Sequence, residues 1–328
     1  MNTLPPAQTE MNQLIRIGTR ESQLAVWQAT QVQQLLQQHH FSSELVYIKS
    51  EGDIDLKTPL YEMGVQGIFT RSLDIALLNN KIDIAVHSMK DVPVQLAKGI
   101  VQAAVLKRAS YKDLLVFKDS SIISKWQLNE VDNNFTPVGD GGIIATSSTR
   151  RKAQWLNRYP NHSIENLRGN VNTRLRKVDE SNWNGAIFAA AGLERIGLRP
   201  QNSIELDWML PAPAQGAIMV VCREENEDCL NACNKFHDEA TALCTKIERD
   251  FLKKLLGGCS TPISALAEIN SDELIFKGNV LSVDGREKIE VEKSRSIKES
   301  INIGIDAAEE ILSNGGQKII DGIHAAKG

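Results

Sequence analysis

Runs of apolar residues at a period of two alternate with runs at a period of 3.6 along the first ninety positions, so the chain opens with strands and helices in alternation. Leu14-Ile-Arg-Ile-Gly18 reads as a strand. Ser22 is placed to cap a helix running to about Gln38, with Leu24, Trp27, Val32, Leu35 and Leu36 on or near one face. Residues 45–49 read as a strand, 70–79 as a helix and 82–86 as the next strand. A β-α-β-α-β order predicts a mainly parallel sheet with helices on both faces.

The rhythm restarts after a polar connection over 119–140. Residues 143–146 form a strand feeding a helix that begins near Ser148; 163–167 is a strand, 171–179 a helix and 186–190 another strand. Beyond Pro211-Ala-Pro213, residues 218–222 form a strand able to return to the first unit. The acidic stretch 223–228 leads into helical sequence up to 256. From 263 to 291, short strands with turns at Asn270-Ser-Asp272 and Asp284-Gly285 predict a small antiparallel sheet, and 301–312 closes the chain as a helix. The expected class is α/β, with two doubly wound domains and a small α+β C-terminal domain. The expected domains are 12–108 with 216–234, then 109–215, then 235–328.

A net charge of −4 over 328 residues argues against a nucleic-acid partner. The charge is uneven, however. Between Thr146 and Arg199 ten Arg or Lys stand against four acids, a local basic surface that suits a small anionic ligand. Residues 1–12 are polar and contain Pro5-Pro6, which reads as a tail without an export signal. No apolar run reaches the ~18 residues a membrane span needs. Five cysteines, an odd number, point to a reducing cytoplasm.

The chemistry concentrates at strand ends. In Asp83-Ile-Ala-Val-His-Ser-Met-Lys-Asp-Val-Pro93, an apolar strand runs into a loop holding Ser88, Lys90 and Asp91. A neighbouring carboxylate and ammonium can be an ordinary surface pair, or a carboxylate aimed at a ligand with Lys90 holding an anion. Gly18-Thr-Arg-Glu-Ser22 and Ala145-Thr-Ser-Ser-Thr-Arg-Arg151 each put hydroxyls and arginines at a helix N-terminus, where free N–H groups favour an anion. Helix caps do not need Arg20, Arg150 and Arg151 beside them, and a guanidinium fork suits carboxylates. Arg168-Gly-Asn-Val-Asn-Thr-Arg174 and Arg195 repeat the pattern, so the ligand should carry several carboxylates or phosphates. Phosphate-loop signatures are missing, which disfavours nucleotides. Cys259, on the turn of Leu256-Gly-Gly-Cys-Ser-Thr-Pro262, suits covalent attachment or nucleophilic chemistry. Cys229, Cys233 and His237 share a helical face, but the spacing is not that of a structural zinc knuckle, and no metal is expected. The glycine-containing segment 52–67 reads as a mobile loop, either a lid or a plain connection.

These motifs, in this order from about residue 14 to the C-terminus, closely resemble the porphobilinogen deaminase (hydroxymethylbilane synthase) family. The resemblance is carried by Arg16-Ile-Gly-Thr-Arg20, Trp27-Gln28, the segment 83–93, Thr146-Ser-Ser-Thr-Arg-Arg151, Leu167-Arg-Gly-Asn-Val171 with Thr173-Arg174, Ala191-Gly-Leu193, Gln215-Gly216 and Gly257-Gly-Cys259. It implies two domains like those of periplasmic binding proteins and a third that carries the cysteine. It implies that four porphobilinogen molecules are joined head to tail with loss of ammonia, giving hydroxymethylbilane for haem and other tetrapyrroles. A dipyrromethane cofactor would be bonded through a thioether to Cys259.

The same resemblance assigns roles. Asp91 would stabilise the positive charge that ammonia loss leaves on a pyrrole nitrogen. Ser88, Lys90, Asp91, Thr146, Ser148, Arg150, Arg151, Arg168 and Gly192 would hold the cofactor. Arg20, Ser22, Gln28, Asp53, Phe69, Arg168, Asn170, Arg174, Arg195 and Gln215 would meet the substrate. Two departures stand out: Glu62 and Gln66 where many bacterial members have lysines, with Lys57 or Arg71 as compensating cations, and Ala214 where the family usually has glycine. A monomer is expected. The rival readings are a periplasmic-type binder of small anions, which needs neither Asp91 nor Cys259, and a pyrrole-binding relative with weakened catalysis, which Glu62 and Gln66 suggest.

Overall fold

The computed structural model describes residues 14–49, 70–128, 141–255 and 261–325. Strand β1 (Ile15–Thr19) leads through α1 (Gln23–Gln38) to β2 (Ser43–Tyr47). Next come α2 (Arg71–Leu78), β3 (Ile84–Ser88), a 3-10 turn over Met89–Asp91 and β4 (Ile100–Val105). The chain continues as β5 (Asp113–Phe117), α3 (Ser121–Lys125), β6 (Ile143–Ala145), α4 (Thr149–Arg158), β7 (Ser163–Glu165), α5 (Val171–Glu180), β8 (Gly185–Ala189), α6 (Ala190–Glu194) and β9 (Ser203–Glu205). It ends with β10 (Ile218–Arg223), α7 (Glu227–Asn234), α8 (Glu239–Lys254), β11 (Ile263–Asn270), β12 (Glu273–Leu281), β13 (Lys288–Ser296), α9 (Ile303–Ile311) and α10 (Gln317–Ala325).

Helix starts follow the capping chemistry of the sequence. Ser22, Ser148, Asn170 and Asp238 each accept a backbone N–H from three residues on, which satisfies one of the free donors of the first turn. α1 buries Gln28, Ala29, Val32 and Leu36 against the first sheet.

The two five-stranded sheets share one plan. The first has the order β2-β1-β3-β10-β4 and the second β7-β6-β8-β5-β9. In each, the strand in fourth position is antiparallel to both neighbours and the other four run parallel. That fourth strand is inserted across units, because β10 returns to the first sheet after the second is built. The chain therefore crosses between the sheets twice, from β4 to β5 and from β9 to β10. The crossings lie side by side, with Ala109 N–H donating to Gly216 C=O at 3.1 Å. A Cβ on Gly216 would lie 2.7 Å from the carbonyl oxygens of Ala109 and Ser110, so this approach requires glycine.

In the third unit β11, β12 and β13 form an antiparallel sheet covered by α8, α9 and α10. Phe251 and Phe276 centre its core, their rings 5.1 Å apart.

Several elements differ from the sequence reading. Residues 100–117 carry β4 and β5, which no pattern announced. β5 is buried along its whole length, and a short apolar run inside a core has no polar face to give it a period. The helical stretch after 223 is two helices, α7 and α8, and α10 extends the chain beyond the expected last helix. β11, β12 and β13 run eight, nine and nine residues, longer than expected.

Candidate active site

β3 delivers its last residue and the 3-10 turn to the edge of the first unit. Gln28, buried on α1, donates its amide N–H to Ser88 Oγ at 2.8 Å and so ties Ser88 to that helix. Lys90 is half-buried and Asp91 exposed. The backbone beyond them is gripped from the third unit, because Arg249 on α8 donates to Val92 C=O at 2.9 Å and Pro93 C=O at 2.6 Å. Arg20 and the cap residue Ser22 follow β1 beside β3. Arg16 occupies the opposite end of the strand, where Asp83 holds it at 2.8 Å.

The second unit presents the N-terminus of α4. Thr146 Oγ1 accepts the Ser148 N–H at 3.2 Å, and Ser148 caps the helix. Arg150 and Arg151 are buried and converge on Asp113, the first residue of β5. Arg150 Nη2 lies 2.7 Å from Asp113 Oδ2; Arg151 Nη2 and Nε lie 2.8 and 3.1 Å from Oδ1. Burial by itself would raise the Asp113 carboxyl, but the two guanidinium groups outweigh it and hold the group well below the ordinary carboxylate range.

Arg168 is buried just before Gly169, whose φ of +113° turns the chain into α5. Asn170 caps α5, and Arg174 returns its Nε to Gly169 C=O at 2.7 Å. Gly192 on α6 faces Leu24 of α1. Arg195 donates to Gly216 C=O at 2.7 Å and lies over the Trp27 ring at 5.7 Å. Asn172 on α5 donates to Gln23 on α1 at 3.0 Å, a direct bond between the two units.

The two halves form one electrostatic site. Burial pushes Lys90 down to about 8; Arg151 and Arg150 push the same way, while Asp91 and Asp113 oppose them. Arg174 is lowered to about 10 by burial, with Arg151 and Arg168 repelling it and Asp91 attracting it. Lys90 of the first unit thus faces Arg150 and Arg151 of the second, and Asp91 faces Arg174, with Asp91 and Asp113 among the described carboxylates that offset this charge. Arg150 Nε is a buried donor without a hydrogen-bond partner among the described residues. A cationic cluster with a spare buried N–H matches a ligand bearing carboxylates.

Three further contacts were not legible from sequence motifs. Asp113 carried no motif and is recognisable only through its arginines. Glu248 on α8 is fully buried; it accepts from Arg108 Nη1 at 2.6 Å, from Ala214 N–H at 2.6 Å and from Ala267 N–H at 2.8 Å. It therefore locks the third unit to the crossing. His87, beside Ser88, is buried and held neutral, lowered to about 4 by burial and by Arg20.

Gln215, which the resemblance places among the substrate contacts, is 1 % exposed and bonded to both units. The candidate metal group disperses: Cys229 and Cys233 are in the apolar core, and His237 Nδ1 accepts the Val105 N–H at 3.0 Å. Cys259, Asp53, Phe69, the loop 52–67 with Lys57, Glu62 and Gln66, and the tail 1–12 lie outside the described residues.

Two family models match the chain: "Porphobilinogen deaminase, dipyromethane cofactor binding domain" over residues 15–231, and "Porphobilinogen deaminase, C-terminal domain" over residues 242–313. A porphobilinogen deaminase of Desulforamulus reducens is 36 % identical over 321 residues, covering 97 % of this chain and 100 % of the relative. One from Syntrophotalea carbinolica is 39 % identical over 310 residues, covering 93 % and 95 %. Among solved structures, the methionine binding protein MetQ aligns with 68 % of this chain and 88 % of its own at 16 % identity, with a TM-score of 0.42.

Proposed function

Since the chain belongs to the porphobilinogen deaminase family, we propose that the cleft between its two sheets is where porphobilinogen is bound and joined. The activity is the head-to-tail condensation of four porphobilinogen molecules, with release of ammonia, to hydroxymethylbilane. The cofactor is dipyrromethane, which when bound supplies the pyrrole carbon that is extended. The observation that carries the assignment of the site is the meeting of Lys90 from the first unit and Arg150 from the second at Gln215 Oε1, 3.4 and 3.5 Å away, with Arg151 beside Arg150 on Asp113 and Asp91 next to Lys90.

Each pyrrole carries an acetate and a propionate, so a growing chain brings several carboxylates into the cleft. Lys90, Arg150, Arg151 and Arg168 are the cations we assign to the cofactor's carboxylates, with Ser88, Thr146 and Ser148 as hydroxyl donors and Gly192 leaving room beside them. Arg20, Arg174 and Arg195, with Ser22, Gln28 and Asn170, are assigned to incoming substrate, together with Asp53 and Phe69. Cys259 is the attachment point.

Among the described residues of this site, Asp91 is an exposed carboxylate, whereas Asp113 is locked between arginines. Ammonia loss makes a pyrrole nitrogen of the substrate cationic, and a carboxylate accepting that N–H lowers the energy of the charge as it develops. The same oxygen can take and return a proton as the new bond forms. Burial and neighbouring arginines make Lys90 and Arg174 poor hosts for further positive charge, so carboxylates arriving there relieve repulsion as well as gaining attraction.

We read the three units as domains spanning 12–108 with 216–234, 109–215 and 235–328. No described helix is long and apolar enough to cross a membrane. A cytoplasmic monomer is the proposed state; the odd cysteine count and the buried thiols of Cys222, Cys229, Cys233 and Cys244 support a reducing compartment.

Intact mass spectrometry of the wild type and of Cys259→Ala tests the assignment. An adduct of two linked pyrroles on the wild type alone is expected. A wild-type chain that stays unmodified after incubation with porphobilinogen overturns it.

A further inference from the structure

Gln215 is engaged inside the protein at both ends of its amide. Its Nε2 donates to Tyr111 C=O at 2.7 Å and to Asp113 Oδ1 at 2.9 Å. Its Oε1 accepts from Lys90 Nζ at 3.4 Å and from Arg150 Nη2 at 3.5 Å. A primary amide has two donors and two lone pairs, and all four are occupied here. The orientation is fixed by charge. Turning the amide over would aim its N–H groups at Lys90 and Arg150 and its oxygen at the Asp113 carboxylate, losing every bond.

The backbone around it is held as firmly. Arg108 Nε donates to Gln215 C=O at 2.8 Å, and Glu248 takes both the Arg108 guanidinium and the Ala214 N–H. Ala214 and Gly216 flank Gln215 in left-handed conformation, with φ of +61° and +88°. The second crossing is therefore bent and clamped from the third unit, so that one amide reaches Lys90 on one side and Asp113 with Arg150 on the other.

We propose that Gln215 is a positioning residue: its amide oxygen holds the Lys90 ammonium toward the Asp113–Arg150 pair and so sets the charge that the cleft offers to carboxylates. Among the described residues, the groups facing Lys90 include its neighbour Asp91, the second unit's Arg150, Arg151 and Asp113, and Gln215 from the crossing. Two of them are cations that disfavour its proton, and Gln215 supplies a neutral acceptor that favours it. Losing that acceptor makes Lys90 give up its proton at lower pH; a carboxyl group in the same place makes it hold on longer.

The role of Lys90 toward carboxylates rests on the reading above, but the test does not. The full chain in the Cys259→Ala background has no tethered pyrroles near Lys90. Pulse acetylation with acetic anhydride across pH 6 to 10, read at the Lys90 peptide by mass spectrometry, gives the pH at which its amine becomes reactive. Relative to that background, Gln215→Met should lower the midpoint by about half a unit or more, and Gln215→Glu should raise it. Thermal melts show which variants are folded, and either one decides the matter if the other fails to fold. A midpoint unmoved in a folded variant overturns the proposal. The same result would leave the pyrrole adduct on Cys259, and with it the assigned activity, untouched.

Discussion

Arg151 meets Asp113 side-on, with Nη2 and Nε 2.8 and 3.1 Å from the same carboxylate oxygen, while Arg150 takes the other. The carboxylate is fully buried, and both arginines are buried with it. Asp113→Asn removes the charge that makes their burial tolerable. The expected cost is ~3–5 kcal/mol, the usual result of breaking one side of a buried pair. Chemical denaturation of the two proteins measures it; a difference under about 1 kcal/mol contradicts the clamp. Because the Asp113 pKa is lowered on folding, its contribution is present above the ordinary carboxylate pKa and is lost as pH falls below it.

Asp91 is exposed on a turn whose backbone Arg249 secures. Asp91→Ala should therefore fold with an unchanged melting temperature. Its turnover of porphobilinogen should fall by ~10²–10⁴-fold, the range typical of a positioned acid or base. Release of ammonia is the readout, and near-normal turnover removes Asp91 from the chemistry.

His87 and His162 are both buried and both lowered to about 4, His87 by burial and Arg20, His162 by burial and Lys125. In the unfolded chain each binds its proton near pH 6.5. The native state thus binds fewer protons between pH 6.5 and 4, and stability must fall as pH drops through that window. Each contributes on the order of 2–3 kcal/mol of loss by pH 4, at ~1.4 kcal/mol per pKa unit. Urea midpoints between pH 7 and 4 should show the decline, and a flat profile would mean that the rings are hydrated.

Ala214 and Gly216 predict opposite outcomes. Ala214 holds φ of +61°, a region that costs a residue with a Cβ about 1 kcal/mol. Ala214→Gly should leave stability level or raise it by up to ~1 kcal/mol. In Gly216→Ala the new Cβ meets two carbonyl oxygens at 2.7 Å, so the paired crossings must separate. That variant should lose several °C of melting temperature, and equal melts for the two would contradict the close approach of the crossings.

Much of this protein could be read along the chain because much of it is local. Ser22, Ser148 and Asn170 act as caps because their side chains reach N–H groups three residues on. The apolar stretch of β10 was visible, as was its freedom to rejoin the first unit. The cleft cations were visible as arginines at strand ends. β5 was not: like β10 it is buried with no alternation to display, but it lacks a flanking turn like the Pro211-Ala-Pro213 that sets β10 apart.

The sequence alone therefore determined the α/β rhythm, the helix starts, the basic second unit and, through its motifs, the family. Tertiary structure decided which charges are spent inside the protein and which face the cleft. Asp113 finds Arg150 and Arg151 from 37 and 38 positions away, Arg249 reaches Val92 from 157, and Gln215 joins Lys90 from 125. Such contacts depend on how two crossings and a third unit pack together. They leave no period or spacing in the chain, because a charge distant in sequence is paired only by the fold that buries it.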